Sequence, residues 1–431
     1  MANTYTTYKD SGIPWIGEIP KEWKVTSIGM YFDEIKNPNI GQKETNTLQF
    51  KMGDIISKKG GDSKYNPESI EAYNVVEPGT IMLNGLNLSF DLISQRVAQV
   101  HEKGAITSTY LAIKPKQGLY SDYAKYLLKS YDNCKAIHAM GRGLRATLSY
   151  YSFRSEPLII PTPVEQESIA NFLDEKCSEI DALISLQEKM IDELKAYKQS
   201  VITEVVTKGL DRNVKMKDSD IDWIGIIPEY WHKCKLKNLC IFINGDRSQN
   251  YPQPDEYKSD GIPFLGADSL VDRYVDCNFA RFISEEKYNS MGGLKIQIGD
   301  ILYTLRGSTI GKNAICSFNN GTVASSLMGI RVNNRGLSYN YLYYWLNSEM
   351  EAKQRDSLIN GATAPNLSAL NVGEYIIYLP SIDEQKQIAT FLDTKCSQID
   401  SLISIKEKKI EELKDYKKSL IYEYVTGKKR V

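Results

Sequence analysis

Residues Pro161–Ser185 read PTPVEQESIANFLDEKCSEIDALIS, and residues Pro380–Ser404 read PSIDEQKQIATFLDTKCSQIDSLIS. The likeness continues beyond them: across Pro161–Gly209 and Pro380–Lys428, aligned without gaps, 29 of 49 positions are identical. A shorter phrase is also written twice, IPWIGEIPKEW at Ile13–Trp23 and IDWIGIIPEYW at Ile221–Trp231. The block is displaced by 219 residues and the phrase by 208, so the segments between them differ in length. A period this long marks duplicated domains, not a solenoid. The chain therefore reads as a variable segment, 1–160, a shared block, 161–209, a second variable segment, 210–379, and the shared block again, 380–431.

The shared block predicts a helix of about 40 residues, roughly 60 Å long. Leu173, Ile180, Leu194 and Val201 form a seven-residue ladder, and Ile184, Ile191 and Val205 form a second ladder four residues on. Leu392, Ile399, Leu413 and Leu420, with Ile403, Ile410 and Tyr424, repeat both. This is a coiled-coil seam, in which the polar Gln187 and Lys406 can fix register. Pro163 and Pro380 are expected to close the preceding strands, with Glu165 and Glu384 placing acid near each helix start. Each helix alone would expose an apolar stripe, and the simplest cover for two related stripes is each other. The expectation is an antiparallel pair with a globular segment near each end and approximate two-fold symmetry within one chain.

Both variable segments predict mixed α and β structure in the same order. The first has strand-like TIMLNGL (Thr80–Leu86), RVAQVH (Arg96–His101) and STYLAIKP (Ser108–Pro115), a helix over Tyr123–Ile137 and a closing strand EPLIIP (Glu156–Pro161). The second has GIPFLGA (Gly261–Ala267), GDILYTLRG (Gly299–Gly307), a helix over Tyr341–Arg355 and EYIIYLP (Glu374–Pro380). The fold class expected is α+β, one mixed fold carried twice with different surface residues.

Composition narrows the function. Net charge is −1, with 53 basic and 54 acidic residues, so any polyanion must be met by cations clustered on a folded surface. Seven scattered cysteines with no CxxC, and three histidines at no ligand spacing, predict neither disulfide frame nor metal site, and fit a reducing cytoplasm. No apolar run is long enough for a membrane helix. GSTIGK (Gly307–Lys312) has three residues between its glycines where a phosphate loop has four, and no Ser or Thr follows Lys312. PDEYK (Pro254–Lys258) puts Asp255 and Glu256 on opposite faces of any strand, and reads as a surface loop. The residues argue against an enzyme.

With both repeats in view, the chain resembles the specificity subunit of a type I restriction–modification system. The phrase at Asp10–Trp23 and Asp218–Trp231 carries the resemblance, together with the P…EQ…IA.FLD.K…ID.LI block. GDILYTLRG, the weaker GTIMLNG and GATAPNLSALNV (Gly361–Val372) add to it. The resemblance implies a non-catalytic, DNA-reading chain. Two methyltransferase subunits would hold the S-adenosylmethionine, and restriction–translocase subunits could join them. Each variable segment would read half of a split, asymmetric site on double-stranded DNA, and the helices would space the halves and dock the methyltransferases. A free-standing DNA-binding regulator and a coiled-coil scaffold with two adhesive domains are the competing readings.

Candidate DNA contacts follow from side-chain chemistry: arginine grips guanine or phosphate, asparagine reads adenine, and tyrosine stacks or bonds phosphate. In the first segment they are Lys58, Lys59 and Lys64, Asn84 and Asn87, and Arg142, Arg145, Tyr150, Tyr151 and Arg154. In the second they are Arg247, Ser248, Gln249 and Asn250, then Arg306, Ser308, Thr309 and Lys312, then Thr363 and Asn366. The competing accounts are a solvated loop for Arg142–Arg154, a charged turn for Lys58–Lys64, turn chemistry for Asn84 and Asn87, a plain hairpin for Arg306–Lys312, and packing against the helix entrance for Thr363 and Asn366. Trp15, Trp23, Trp223 and Trp231 are expected to pack a joint, and Cys177 and Cys396 to be small buried helix residues.

Overall fold

The computed structural model describes residues 4–58, 70–93, 95–143, 146–333, 336–359 and 366–431. The chain forms two compact units. The first holds residues up to Glu188 together with Glu407–Val431, and the second holds Lys189–Lys406. Each unit thus contains one variable segment and a part of each long helix.

The long helices span Pro163–Lys208 and Ile382–Val425. Pro163 opens its helix and does not close the preceding strand. At the first helical position the missing N–H costs nothing and the fixed φ suits the turn. Within the first unit Lys417 Nζ lies 2.6 Å from Asp181 Oδ2, and Phe172 packs on Tyr424. One number rises as the other falls, so the segments run antiparallel. Within the second unit Lys198 Nζ lies 2.6 Å from Asp400 Oδ2, the same pair shifted by 219 residues. Leu173, Ile180 and Ile191 are buried along one seam, and Leu392, Ile399 and Ile410 along the other. Cys177 and Cys396 are buried too and extend the second ladder. All seven cysteines are free thiols. Lys198 and Lys417 also fall on that ladder; each lays its stem along the seam and carries its charge to the partner helix's aspartate.

The centre of the first unit is an antiparallel sheet in the order Phe32–Glu34, Leu111–Pro115, Ile81–Leu83, Val97–Gln99. The second unit has Cys240–Asn244, Leu327–Val332, Ile301–Thr304, Asn313–Ile315 in the corresponding order. Central strands such as Ile81-Met82-Leu83 read as unbroken apolar runs because both sheet faces are covered. Ile81, Leu83 and Val97 enter the core shared with the helices, while Met82, Ala98 and Ala112 enter a smaller core on the far side. Ile301 and Tyr303 against Leu302 and Ala314 divide the same way in the second unit. The helix expected over Tyr341–Arg355 is two, Tyr339–Leu346 and Glu349–Leu358. Asn347 and Ser348 interrupt it by bonding nearby backbone: Asn347 Nδ2 donates to Tyr343 O at 2.8 Å and Ser348 Oγ to Trp345 O at 2.7 Å.

The repeated sequences make repeated joints. The phrase forms a hairpin, Tyr8–Asp10 with Glu18–Pro20 and Met216–Asp218 with Ile226–Pro228. Its turn needs a left-handed residue, supplied by Gly12 (φ 70°) in one copy and Asp220 (φ 59°) in the other. Trp23 and Trp231 are fully buried beside the helix starts. Trp23 Nε1 donates to Glu165 Oε1 at 3.4 Å, and Tyr230 Oη donates to Glu384 Oε1 at 3.0 Å. The block's buried glutamines are the most alike. Gln166 accepts from Tyr120 N at 2.8 Å and donates to Gly118 O and Pro161 O, both at 3.1 Å. Gln385 accepts from Ser338 N at 2.9 Å and donates to Gly336 O at 2.8 Å and Pro380 O at 3.1 Å. A buried amide with every group paired fixes the angle at which a helix leaves its domain.

Candidate nucleic-acid interface

In each unit one end of the central sheet gathers loops that carry several of the candidate residues. In the second unit, register places Asn244, Met328, Thr304 and Asn313 together at that end. The loops after Asn244 and Thr304 and before Leu327 are cross-linked. Gly245 N donates to Leu327 O at 3.0 Å, Leu305 N to Ser326 O at 2.8 Å, and Arg247 Nη2 to Ser325 O at 3.3 Å. Gly245 is required there, because a Cβ would stand 2.3 Å from Ala324 O. The buried Asp246 carboxylate accepts from Ser248 N at 2.7 Å and Gly292 N at 2.8 Å. Burial pushes its pKa upward, but these hydrogen bonds outweigh burial and hold it below the usual range. The fixed loop presents Arg247, Ser248 and Gln249 to solvent. Asn250 is half-buried, its Nδ2 donating to Ser290 O at 2.9 Å.

Arg306 and Asn366 meet at the same place. Arg306 Nε donates to Asn366 Oδ1 at 3.0 Å, and Leu367 N to Leu305 O at 2.9 Å. Ser308, Thr309 and Lys312 are exposed beyond Gly307 (φ 86°), with Lys312 Nζ donating to Ala267 O at 3.3 Å. Gly311 lets the loop lie on Arg355, whose Nη1 would be 2.2 Å from a Cβ at that position.

The first unit repeats the arrangement with other side chains. The loop after Leu83 is joined to the Arg142–Leu148 loop by Leu148 N to Gly85 O at 2.9 Å and Leu88 N to Ala146 O at 3.1 Å. Asn87 is exposed in the left-handed region (φ 53°), and Arg142 is exposed opposite Thr147. Asn84 is half-buried and its Oδ1 accepts from Leu86 N at 3.3 Å, so the side chain shapes its own turn. Tyr150 is likewise engaged in the fold, its hydroxyl donating to Phe32 O at 2.7 Å, whereas Tyr151 and Arg154 are exposed. Lys58 is half-buried away from these loops, its N–H donating to Thr47 O at 2.8 Å. Lys59, Lys64, Arg145 and Thr363 lie outside the described residues.

The residue that organises this loop was not singled out by sequence. Arg96 is 1% exposed. Its Nη1 donates to Asn84 O at 3.0 Å and Leu86 O at 2.7 Å, its Nη2 to Asp91 O at 2.7 Å and its Nε to His138 Nε2 at 3.2 Å. Its own N–H donates to Asp132 Oδ2 at 2.7 Å. Burial raises the Asp132 pKa and lowers that of His138. An arginine opening an apolar strand carries no pattern that foretells such burial.

Among the described residues no group of three or more His, Cys, Asp or Glu side chains is placed to hold a metal ion. Nor is any described helix long and apolar enough to cross a membrane. Each unit thus carries one loop-bearing sheet end and a part of each long helix. Residues 228–415 match the family described as type I restriction modification DNA specificity domain. Two proteins of Methanocaldococcus jannaschii are similar over almost the whole chain. The type I restriction enzyme MjaVIII specificity subunit is 25% identical, covering 96% of this chain and 94% of that protein. The putative MjaX specificity subunit is 26% identical, covering 96% of each. Among solved structures, one described as the structural basis of complex assembly and conformational transition of the type I R-M system has a TM-score of 0.70 at 14% identity, covering 94% of this chain and 98% of that one. The HsdS subunit of Thermoanaerobacter tengcongensis has a TM-score of 0.50 at 15% identity, covering 95% and 98%. These two likenesses speak to the fold. Over almost its whole length the chain is thus similar to type I restriction–modification specificity subunits, and residues 228–415 match their DNA specificity domain.

Proposed function

We propose that this chain reads a split, asymmetric sequence on double-stranded DNA, each unit reading one half-site, as the specificity subunit of a type I restriction–modification complex. The chain itself carries out no chemistry. It joins two methyltransferase subunits, which hold the S-adenosylmethionine, and through them restriction–translocase subunits, in the cytoplasm. Residues 1–160 and 210–379 act as the recognition domains, and 161–209 and 380–431 as the spacer helices that dock the methyltransferases.

One observation carries this reading. Equivalent sheet ends in the two units bear unlike exposed side chains, Asn87 and Arg142 in one, Arg247, Arg306 and Asn366 in the other. A common scaffold with different side chains at the same place is what two unlike half-sites require, because base edges are told apart by the hydrogen-bonding groups that meet them. The test is methylation-sensitive sequencing of DNA from cells expressing the chain with its methyltransferase. A single bipartite methylated motif is expected. Methylation without a motif, or none, counts against the reading, as does DNA binding that does not weaken with salt.

A further inference from the structure

The loop that Arg96 clamps ends in apolar side chains that no core receives. Phe90 is 81% exposed and Ile93 93%, with Leu92 between them also exposed. Met52 stands exposed at the tip of the hairpin Leu48–Lys51/Asp54–Ser57. Gly53 of that turn lies against Gln95, whose Oε1 would be 2.4 Å from a Cβ there, so this tip adjoins the clamped loop. The loop is built, not loose. Phe90 N donates to Asn87 O at 3.1 Å, Ile93 N to Asp91 Oδ1 at 3.0 Å, and Arg96 holds the carbonyls of Asn84, Leu86 and Asp91. Exposed cations flank it, Lys51 on the hairpin and Arg142 on the loop bonded to Gly85 and Leu88. Asp54 and Asp91 are the acids nearby, set against His101 and Arg96 respectively. The corresponding loop of the second unit exposes only polar side chains, Arg306, Ser308, Thr309 and Lys312.

Resting on the function proposed above, we infer that the first unit reads thymine by its methyl group, with Phe90 as the specificity-determining contact and Ile93 beside it. Phosphates and sugars offer an apolar ring nothing that water does not. In the major groove of an unkinked duplex, the base-edge feature that rewards it is the C5-methyl of thymine. The flanking cations hold the backbone while the pre-ordered tip meets the base edge, so little ordering cost falls on binding. The second unit, with a polar tip, reads its half-site by hydrogen bonds alone.

The test uses the full chain in complex with its methyltransferase and a target selected from random duplexes. Each thymine is then replaced by uracil, which removes only the methyl group. Arg306→Ala, which relaxes the second half-site, identifies the half read by the first unit. The expected result is a loss of roughly fourfold in affinity at one or two uracil positions confined to that half, the transfer value of one methyl group. Phe90→Ala abolishes the difference between thymine and uracil there, and Ile93→Ala reduces it. Both side chains are exposed, so neither change threatens folding. Indifference of the unaltered chain to every uracil, absence of thymine from that half, or a thymine preference that survives in Phe90→Ala overturns the inference. Selection of no sequence at all sinks the function on which it rests.

Discussion

Arg306 and Asn366 lie 60 residues apart in sequence, yet Arg306 Nε donates to Asn366 Oδ1 at 3.0 Å. That bond holds the guanidinium by its Nε and leaves the two terminal nitrogens without a hydrogen-bond partner among the described residues. A fork so held meets guanine O6 and N7 in one fixed plane, a pre-set geometry that the flexible ammonium of lysine lacks. Arg306→Ala should therefore cost about 1–3 kcal/mol on the selected target and relax one position of the second half-site. Arg306→Lys should keep the phosphate attraction and weaken the discrimination. Competition binding with singly substituted duplexes at fixed salt reads both. A uniform loss across sequences would make Arg306 a phosphate contact.

Arg96 holds three carbonyls of the loop that follows Leu83. Replacing it by methionine keeps much of the volume and the backbone N–H bond to Asp132, but takes the guanidinium away from the carbonyls of Asn84, Leu86 and Asp91 and from His138 Nε2. Unpaired buried groups of this kind cost on the order of 3 kcal/mol. Arg96→Met should lower the thermal midpoint of the first unit and speed amide exchange across residues 84–93, with residues 245–330 unchanged. Exchange measured by mass spectrometry separates this from general unfolding, in which both stretches would quicken.

The duplication and the helices were legible because a period of 3.5 residues and a repeated string need no tertiary knowledge. The loop cluster was half legible. Side-chain chemistry marks Arg306 and Asn366 singly, but nothing local says that they touch. Asn84 and Tyr150 have the right chemistry for DNA and use it inside the fold, since whether a polar side chain faces solvent is settled by what packs behind it. Phe90 and Ile93 are hidden for the complementary reason, that an apolar residue in a loop reads as ordinary core. Gln166 and Gln385 sat in the repeated block as letters; their role emerges only when three backbone groups converge on each.

One difference between the units bears on partner docking. In the first, Tyr424 packs on Phe172 with ring centroids 4.5 Å apart. The second has Val205 and Phe391 at the equivalent positions, and a cavity of about 770 Å³ opens there, lined also by Tyr197, Lys208, Ile226 and Lys395. Val205→Tyr should place a ring on Phe391 as Tyr424 sits on Phe172, stabilising the second unit by about 1 kcal/mol. If a methyltransferase side chain uses the cavity, the same substitution should reduce the methyltransferase retained on affinity purification. A rise in melting temperature with undiminished retention would place docking elsewhere.

Glu351 gives the second unit a pH dependence of unusual sign. Its carboxyl is almost wholly buried, accepts from the Tyr303 hydroxyl, and takes Arg355 Nη1 at 2.9 Å. Burial pushes its pKa up from 4.5 to about 7, with Arg355 and Tyr303 holding it from rising further. The folded carboxyl thus keeps its proton to a higher pH than the unfolded one. Between pH 4.5 and about 7 the folded state binds more protons, so this group's contribution to stability falls as pH rises through that window and levels off above it. The change should be on the order of 1–3 kcal/mol. Glu351→Gln should flatten the curve, leaving stability at pH 5 nearly unaltered and raising it at pH 8. Arg355 also lies against Gly311 of the Arg306–Lys312 loop, so loss of its carboxylate partner should loosen that loop and weaken DNA binding in Glu351→Gln even where the fold is firmer. Denaturant melts at several pH values, paired with DNA affinity, test this: parallel pH profiles for Glu351→Gln and the unaltered chain would show that Glu351 is not the titrating group.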